Sequence, residues 1–163
     1  NIECFGYKIV FKKQKGSLNA EKLMELGIKP GPFYKKIKEE DQFEYNGKMY
    51  NSCDFLSEDK PGKEIFIIPD TKYFDELNDV VKNSDVIITE CTYLSATDES
   101  HARKNYHMCI TDIHKMLRNS KVQKVFLTHI SARYDKSTED EVIENIHSSS
   151  EVYIAHDFDK YKF

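Results

Sequence analysis

From residue 64 onward, short apolar runs alternate with longer stretches in which apolar residues recur every three or four positions. The short runs predict buried strands at residues 64–68, 85–88, 122–127 and 152–155. The spaced positions predict helices, the longest of which covers residues 100–119 and carries one apolar stripe. This alternation predicts an α/β fold with a mainly parallel sheet, helices on both of its faces and function at the carboxyl ends of the strands.

Two shorter helices complete this part of the pattern. The first is predicted around residues 74–81, where apolar positions fall at helical spacing. The second is predicted to begin at a capping box, in which Thr138 precedes Glu141. Its buried face would consist of Val142, Ile143 and Ile146.

The first third of the chain follows a different pattern. A strand is predicted at residues 2–11 and a short helix at residues 20–26. Residues 29–32, Lys-Pro-Gly-Pro, are excluded from helices and central strands, and Asn46-Gly47 predicts a hairpin turn. We expect residues 13–60 to be an excursion from the domain that is too small and too polar to bury a core of its own.

Composition places the chain among ordinary globular proteins. Its 163 residues, 39% of them hydrophobic, are enough for one domain with a buried core. The sequence has no run of 18 apolar residues and does not open with a secretory signal, so we expect a soluble protein with no membrane partner. Its four cysteines form no Cys-x-x-Cys pair, which favours a reduced, cytoplasmic location.

Charge is unevenly distributed along the chain. The net charge is −4, yet residues 8–38 carry nine lysines against two acidic residues. A basic segment on an acidic body is typical of a polyanion-binding appendage, because lysines that neutralise phosphates release counterions. A solvated lysine-rich loop would have the same composition, so charge alone leaves both interpretations open.

Candidate chemistry lies directly after the predicted strands. Asp70, Glu90 and His129 each follow one apolar run, so all three are expected at one edge of the sheet. A single carboxylate there often caps a helix, but three ionisable groups on adjacent strands favour a metal site, and Asp and His are zinc ligands. His107, beside the apolar stripe of the long helix, is a fourth candidate. We interpret His101, His114, His147 and His156 as surface or hydrogen-bonded residues.

One run of residues is specific enough to indicate a family. The run from Thr128 to Tyr134, Thr-His-Ile-Ser-Ala-Arg-Tyr, resembles the Leu-Thr-His-(Phe/Ile/Val)-Ser-x-Arg-Tyr motif of ribonuclease Z, in the metallo-β-lactamase superfamily. The resemblance extends over essentially the whole chain. Its other landmarks, in order, are Phe5-Gly6-Tyr7, Gly16-Ser17-Leu18, residues 26–34, Asp70-Thr71, Glu90-Cys91-Thr92 and Tyr106-His107.

The resemblance implies a fold and a role for each matching residue. The fold would be half of a metallo-β-lactamase αββα sandwich with a protruding Gly-Pro-rich arm. Asp70 would bridge two zinc ions and His129 would ligate one of them. His107 would protonate the departing 3′ oxygen, and Glu90 would serve the catalytic site by shaping the pocket for the acceptor stem. Residues 13–60 would form an exosite arm that holds the tRNA elbow.

The chain also departs from the family pattern. Pro69 replaces a glycine, Thr89 replaces a histidine, and Met108-Cys109 replaces Ser-Thr after His107. The family's His-x-His-x-Asp-His motif, which supplies most of the metal ligands, is absent from this sequence. Because that motif belongs to the N-terminal half of the family's members, we expect the chain to be the C-terminal half of a longer enzyme. A natural half-protein that requires a partner chain is the alternative.

Taken with the resemblance, the sequence predicts a zinc-dependent endoribonuclease that removes the 3′ trailer of precursor tRNA, in a homodimer. Catalysis would require the missing half. The alternatives are a non-catalytic tRNA-binding module and a phosphodiesterase that acts on small substrates. The expected substrate-binding residues are Lys29, Pro30, Gly31, Pro32, Lys35, Lys36, Lys38, Ser131 and Arg133.

Overall fold

The computed structural model of the chain describes residues 3–146 and 148–162. It divides into two compact units. One unit consists of the segment Lys12–Gly62, and the other combines the residues before it with those after it.

The described residues form seven strands and six α-helices. The strands are β1 Tyr7–Val10, β2 Gln42–Tyr45, β3 Lys48–Asn51, β4 Glu64–Ile68, β5 Val86–Glu90, β6 Lys124–Thr128 and β7 Glu151–Ile154. The helices are α1 Ala20–Glu25, α2 Pro32–Glu39, α3 Glu76–Val81, α4 Glu99–Asn105, α5 Ile110–Leu117 and α6 Lys136–Asn145. None of the helices in the described part of the chain is long and apolar enough to cross a membrane.

A five-stranded sheet organises the larger unit. Its order is β1-β4-β5-β6-β7, with β4 to β7 parallel and β1 antiparallel at one edge. The predicted α/β class and mainly parallel sheet are therefore confirmed. The four predicted parallel strands lie within two residues of their observed positions. The first predicted strand is shorter than expected and begins at Tyr7; residue 2 lies outside the described residues.

The helices of this unit pack against one face of the sheet. Side chains from α3, α4, α5 and α6 join a single hydrophobic cluster with Ile87, Val125 and Leu127. The opposite face holds Ile65, Val86 and Phe126, and among the described residues its apolar cluster contains no helical side chain. The expectation of helices on both faces was wrong. An apolar strand pattern on both sides indicates burial but does not say what covers each side.

The longest predicted helix is two helices. The apolar repeat continues through residues 100–119, but α4 ends where Tyr106 adopts the left-handed conformation, with φ 62° and ψ 35°. The chain turns there, and α5 starts three residues after His107. The new start is capped reciprocally, because the Asp112 carboxylate accepts from the Cys109 N–H. This break removes His107 from any helix.

The last helix also starts earlier than the sequence predicts. Asp135, rather than Thr138, is its N-cap, and the Asp135 carboxylate accepts from both the backbone N–H and the hydroxyl of Thr138. These bonds lower the pKa of Asp135 below its ordinary value. The predicted apolar face of α6 is half-buried rather than buried.

The smaller unit has a hydrophobic core, contrary to the expectation from its polarity. The core residues are Leu23, Ile28, Ile37, Phe43 and Phe55. Phe43 is central, with its ring stacked on that of Tyr50 at 5.5 Å and edge-on to that of Phe55 at 5.5 Å. Clustering of a few aromatic rings compensates for the low share of apolar residues, since each ring buries a large area.

Turn chemistry shapes the rest of this unit. The predicted hairpin is confirmed: Asn46 and Gly47 have φ of 52° and 74° and join β2 to β3, as a type I′ turn requires. The exclusion of Pro32 from helices was wrong, because Pro32 is the first residue of α2, where its missing N–H costs nothing. Gly16 is required by close approach, since a Cβ there would lie 1.8 Å from the Ser57 carbonyl oxygen.

Replacing Phe43 tests whether the smaller unit depends on this core. Phe43 is 1% exposed, so Phe43→Ala should lower the free energy of unfolding by roughly 3–5 kcal/mol through lost burial and a residual cavity. Denaturant unfolding followed by tyrosine fluorescence would measure the change. Met49→Ala is the matched control, because Met49 lies on the same hairpin with 58% of its surface exposed. Equal stabilities of the two variants would contradict a core centred on Phe43.

Candidate metal centre at the carboxyl edge of the sheet

Three adjacent strands of the sheet deliver polar side chains to one edge. β4 runs into Asp70, β5 ends at Glu90, and β6 is followed directly by His129. The Asp70 carboxylate lies 3.4 Å from His129 Nε2, and the Glu90 carboxylate lies 3.2 Å from His107 Nδ1. The structure therefore brings together the four residues that the sequence singled out, with His107 arriving from the turn between α4 and α5.

Three of these residues are spaced for a metal ion. Ligand atoms of Asp70, His107 and His129 all lie within 4.8 Å of one another. Two donors on a tetrahedral zinc ion, each about 2.1 Å from it, are separated by roughly 3.4 Å. The distance between Asp70 Oδ2 and His129 Nε2 matches this value. Oxygen and imidazole nitrogen are also donors that zinc accepts, so these residues fit the ion that the resemblance implies.

Glu90 joins the loops that carry the site. It is 1% exposed, and as a carboxylate it only accepts hydrogen bonds. Oε1 lies at 3.2 Å from the Thr71 N, at 2.9 Å from the Met108 N and at 3.2 Å from His107 Nδ1. Oε2 accepts from the N–H of Thr92 at 2.9 Å and from its hydroxyl at 2.8 Å. Five donors from three separate loops thus converge on one buried side chain.

These bonds determine which nitrogen of each histidine carries the proton. The single hydroxyl proton of Thr92 is directed to Glu90, so its oxygen must accept from His129 Nδ1, which lies 2.8 Å away. His129 Nε2 is then left with a lone pair on the side of Asp70. His107 likewise donates from Nδ1 to Glu90, which leaves its Nε2 outside this hydrogen-bond network.

The two imidazoles face each other. Their ring centroids are 5.1 Å apart, with an interplanar angle of 27°. His129 reaches this position through a left-handed backbone, with φ 57°, which ends β6 and turns the chain back. Its loop is tied to the neighbouring one, because the Ser131 N–H donates to the Thr92 carbonyl. The strained residue therefore lies at the site itself.

A buried ion pair holds the turn that carries His107. The Asp112 carboxylate is fully buried and accepts from both terminal nitrogens of Arg103, at 2.9 and 2.5 Å, as well as from the Cys109 N–H. Arg103 lies in α4 and Asp112 in α5, so the pair spans the break between them. The bond with Asp112 raises the pKa of Arg103 above its ordinary value.

The chain is similar in sequence to several curated proteins named ribonuclease Z. Over 99% of its length the chain is 36% identical to a ribonuclease Z of Staphylococcus epidermidis. It is 36% identical over 98% to one of Macrococcus caseolyticus and 32% identical over 99% to one of Staphylococcus aureus. The chain is a relative of ribonuclease Z. In each case it covers 53% of the other protein, so it spans about half the length of these relatives.

No family model matches the chain. A solved structure, the metallo-β-lactamase fold protein YhfI of Bacillus subtilis, aligns with 57% of this chain and 37% of its own at 22% identity, with a TM-score of 0.47.

The run that most resembles ribonuclease Z continues beyond His129 to Arg133 and Tyr134. The Arg133 guanidinium lies over the ring of Tyr93 at 5.1 Å and 3.5 Å from Asp98. The Tyr134 hydroxyl donates to the same carboxylate at 2.6 Å, and burial together with this bond raises the pKa of Tyr134 to about 12. Ser131 is half-buried in this loop. Arg133 is thus held beside the site, while nearly half of its side chain stays accessible.

Sequence reasoning missed Thr92 and Asp112. Thr92 follows Glu90 by two residues, the spacing at which alternate strand residues share a side, but a threonine carries no charge that attracts notice. Asp112 was hidden by the supposed continuous helix, in which it would have pointed to solvent. The remaining histidines behave as expected where they are described: His101 is exposed, His156 pairs with Glu139, and His114 has a partner of its own. His147 lies outside the described residues.

The lysines of the smaller unit are more nearly neutralised than the sequence suggested. Residues 13–60 contain nine lysines and nine acidic residues, because acids follow immediately after Lys38. On α2, Lys35 pairs with Glu39 and Lys36 with Glu40, both at exposed positions. Lys29 and Lys38 have no ion pair among the described residues. The strongly basic character therefore belongs to residues 8–38, whereas residues 13–60 as a whole carry equal numbers of lysines and acidic residues.

Replacing Glu90 tests its role as the link between the loops. Glu90→Gln keeps the shape but turns one acceptor into a donor, so at least two buried donors lose their partner at a cost of about 1–3 kcal/mol each. We expect lower thermal stability and weaker zinc binding, measured by calorimetry and zinc titration of the same sample. Glu144→Gln, at an exposed position of α6, is the control. Unchanged zinc affinity in Glu90→Gln would refute the linking role.

Proposed function

We propose that this chain is the C-terminal part of a zinc-dependent endoribonuclease that removes the 3′ trailer of precursor tRNA. The observation that carries the proposal is the meeting of Asp70, His107 and His129 around Glu90. The proposal is also supported by sequence similarity to ribonuclease Z over nearly the whole chain. The products would be a tRNA with a 3′ hydroxyl and a trailer with a 5′ phosphate.

In this proposal the residues of the edge divide the chemistry between them. Asp70 and His129 would hold zinc, with His129 presenting Nε2 because its Nδ1 is bonded to Thr92. Bound zinc lowers the pKa of a water molecule toward neutrality and so supplies a nucleophile. His107 would bind and carry a proton on Nε2 and give it to the departing 3′ oxygen, while Glu90 holds Nδ1. Glu90 then acts through His107, as a positioning residue.

A second polypeptide segment is needed to complete this site. Asp70 and His129 supply too few donors to close the shells of two ions, since a tetrahedral ion takes four. The sheet face around Ile65, Val86 and Phe126 is covered by no helix among the described residues. We propose that the part present in the longer relatives packs there, giving a metallo-β-lactamase αββα sandwich, and adds the missing ligands. A homodimer and a cytoplasmic location stay predictions.

Residues 13–60 would act as an exosite arm for the tRNA. The feature in favour is local: Lys29, Lys35, Lys36 and Lys38 lie on or next to α2, which begins at the Gly31-Pro32 turn. Exposed pairs such as Lys35 with Glu39 contribute little and exchange readily, so a phosphate can compete for the lysine. The zero net charge of the segment favours a second candidate function, a phosphodiesterase that acts on small substrates without the arm.

Two variants of the complete protein should separate metal binding from proton transfer. Asp70→Ala should lose both bound zinc and tRNA cleavage, because it removes a charged ligand. His107→Ala should keep its zinc while turnover falls by ~10²-fold or more, as for a lost general acid. Metal analysis and single-turnover cleavage provide the two measurements, with exposed Asp75→Ala as the control. Loss of zinc in His107→Ala would show that His107 is a metal ligand. Cleavage of tRNA by Asp70→Ala would contradict the role of Asp70 as a metal ligand needed for cleavage.

Paired lysine variants should show which side chains contact phosphate. Removing Lys29 and Lys38 should weaken binding of every precursor tRNA alike and flatten the dependence of log affinity on log salt by about 0.7–0.9 per contact. Removing Lys35 and Lys36 should have a smaller effect, because each already has a carboxylate partner. Both of these double variants should hydrolyse bis(p-nitrophenyl) phosphate at the wild-type rate. A variant that lacks all four lysines should show both effects together. If its tRNA affinity and salt slope were unchanged, the segment would be a solvated loop and the small-substrate alternative would be favoured.

A further inference from the structure

An exposed aromatic ring stands next to the candidate metal centre. Tyr106 directly precedes His107, so their Cα atoms are about 3.8 Å apart. Tyr106 is 69% exposed, unlike Tyr93, whose buried ring packs edge-on to His107 with 6.4 Å between the centroids. A large ring left in solvent beside the candidate metal centre is not explained by packing of the core.

The backbone at this position would favour another residue. Tyr106 ends α4 with φ 62° and ψ 35°, the left-handed conformation that glycine adopts without steric cost and that commonly terminates helices. A tyrosine here is strained, and termination of the helix does not require its ring. Strain of this kind persists where the surrounding structure or a function maintains it.

A cation accompanies the ring. Lys72 Nζ lies 5.8 Å from the centroid of the Tyr106 ring, and Lys72 follows Asp70 by two residues. Lys72 is exposed and has no carboxylate partner among the described residues. The ring and the ammonium group therefore lie together on the loops that carry Asp70 and His107. An aromatic face next to an unpaired cation is the arrangement by which proteins hold single-stranded nucleic acid.

We propose that Tyr106 and Lys72 form a nucleobase subsite. The base of an unpaired nucleotide flanking the scissile bond stacks on the Tyr106 ring, and Lys72 binds the phosphate next to that nucleotide. A base within a duplex is already stacked on its neighbours, so the subsite selects RNA that is single-stranded at the cleavage point. Stacking is tolerant of base identity, since every base has a π-face. The assignment of RNA as the ligand rests on the proposed function.

The test uses short RNAs that carry 2-aminopurine at successive positions on either side of a non-hydrolysable phosphonate linkage. Fluorescence of 2-aminopurine is quenched when it stacks, and anisotropy of the same RNAs reports affinity. The variants of the complete protein are Tyr106→Gly, Tyr106→Phe and Lys72→Met. Phe158→Gly is the matched control, because Phe158 is also an exposed aromatic residue in a left-handed backbone, with φ 70°.

We expect quenching at one nucleotide in the wild type and in Tyr106→Phe. Tyr106→Gly should lose that quenching and bind roughly 5- to 150-fold more weakly, the range for loss of one stacked base. Lys72→Met should keep the quenching but lower the salt slope by about 0.7 for single-stranded RNA. Since glycine fits the backbone of residue 106, Tyr106→Gly should melt no lower than the wild type, which excludes misfolding as the cause.

The subsite would be refuted if wild-type protein quenched 2-aminopurine at none of the tested nucleotides. It would also be refuted if Tyr106→Gly matched Phe158→Gly in RNA affinity and in quenching. Cleavage of precursor tRNA by the wild type is assayed in parallel. Cleavage without Tyr106-dependent quenching would leave the proposed function standing and remove the subsite. Tyr106-dependent quenching without cleavage of precursor tRNA would support the subsite and contradict the proposed function.

Discussion

The candidate site depends on one buried carboxylate. Glu90 accepts hydrogen bonds from the loops that follow β4 and β5 and from the turn between α4 and α5. Through Thr92 it also determines the proton position on His129, which follows β6. A buried carboxylate whose hydrogen bonds are only partly formed is costly, because the unpaired groups stay away from water. The three loops that donate to Glu90 are therefore held together as one unit. The positions of Asp70, His107 and His129 relative to one another follow from that requirement.

Much of this site could be predicted because the signal is local. Strands of β-branched and other apolar residues end where polar side chains begin, and parallel strands place those ends on one edge. Asp70, Glu90 and His129 were found in this way. The position of His107 was not, because apolar spacing continues across Tyr106 as if the helix were unbroken, and a single left-handed residue changes no residue type. Thr92 was missed since its contribution is one hydroxyl proton.

The errors in the rest of the fold have physical causes of the same kind. Apolar residues on both sides of β4 to β7 indicate burial of two faces, yet the pattern cannot tell a helix layer from a second sheet or another chain. The average polarity of the smaller unit did not predict its hydrophobic core, because a few packed aromatic rings around Phe43 form that core. Counting lysines over a window that stopped at Lys38 overlooked the acids of the next three positions, two of which pair with lysines on α2.

The one-sided helix layer bears on the order in which the molecule assembles. Each crossover from β4 to β7 connects neighbouring parallel strands through one or two helices on the same side, so these strands pair in chain order. The paired residues are nevertheless 21 to 38 positions apart in the sequence, so each pairing closes a long loop before its contacts stabilise the sheet, and parallel sheets form slowly for this reason. The edge that carries Asp70, Glu90 and His129 therefore forms only when β4, β5 and β6 have paired. In the proposed function, completion of the metal shells would be a separate step, in which a further segment adds its ligands, so that attaining the fold would precede attaining activity.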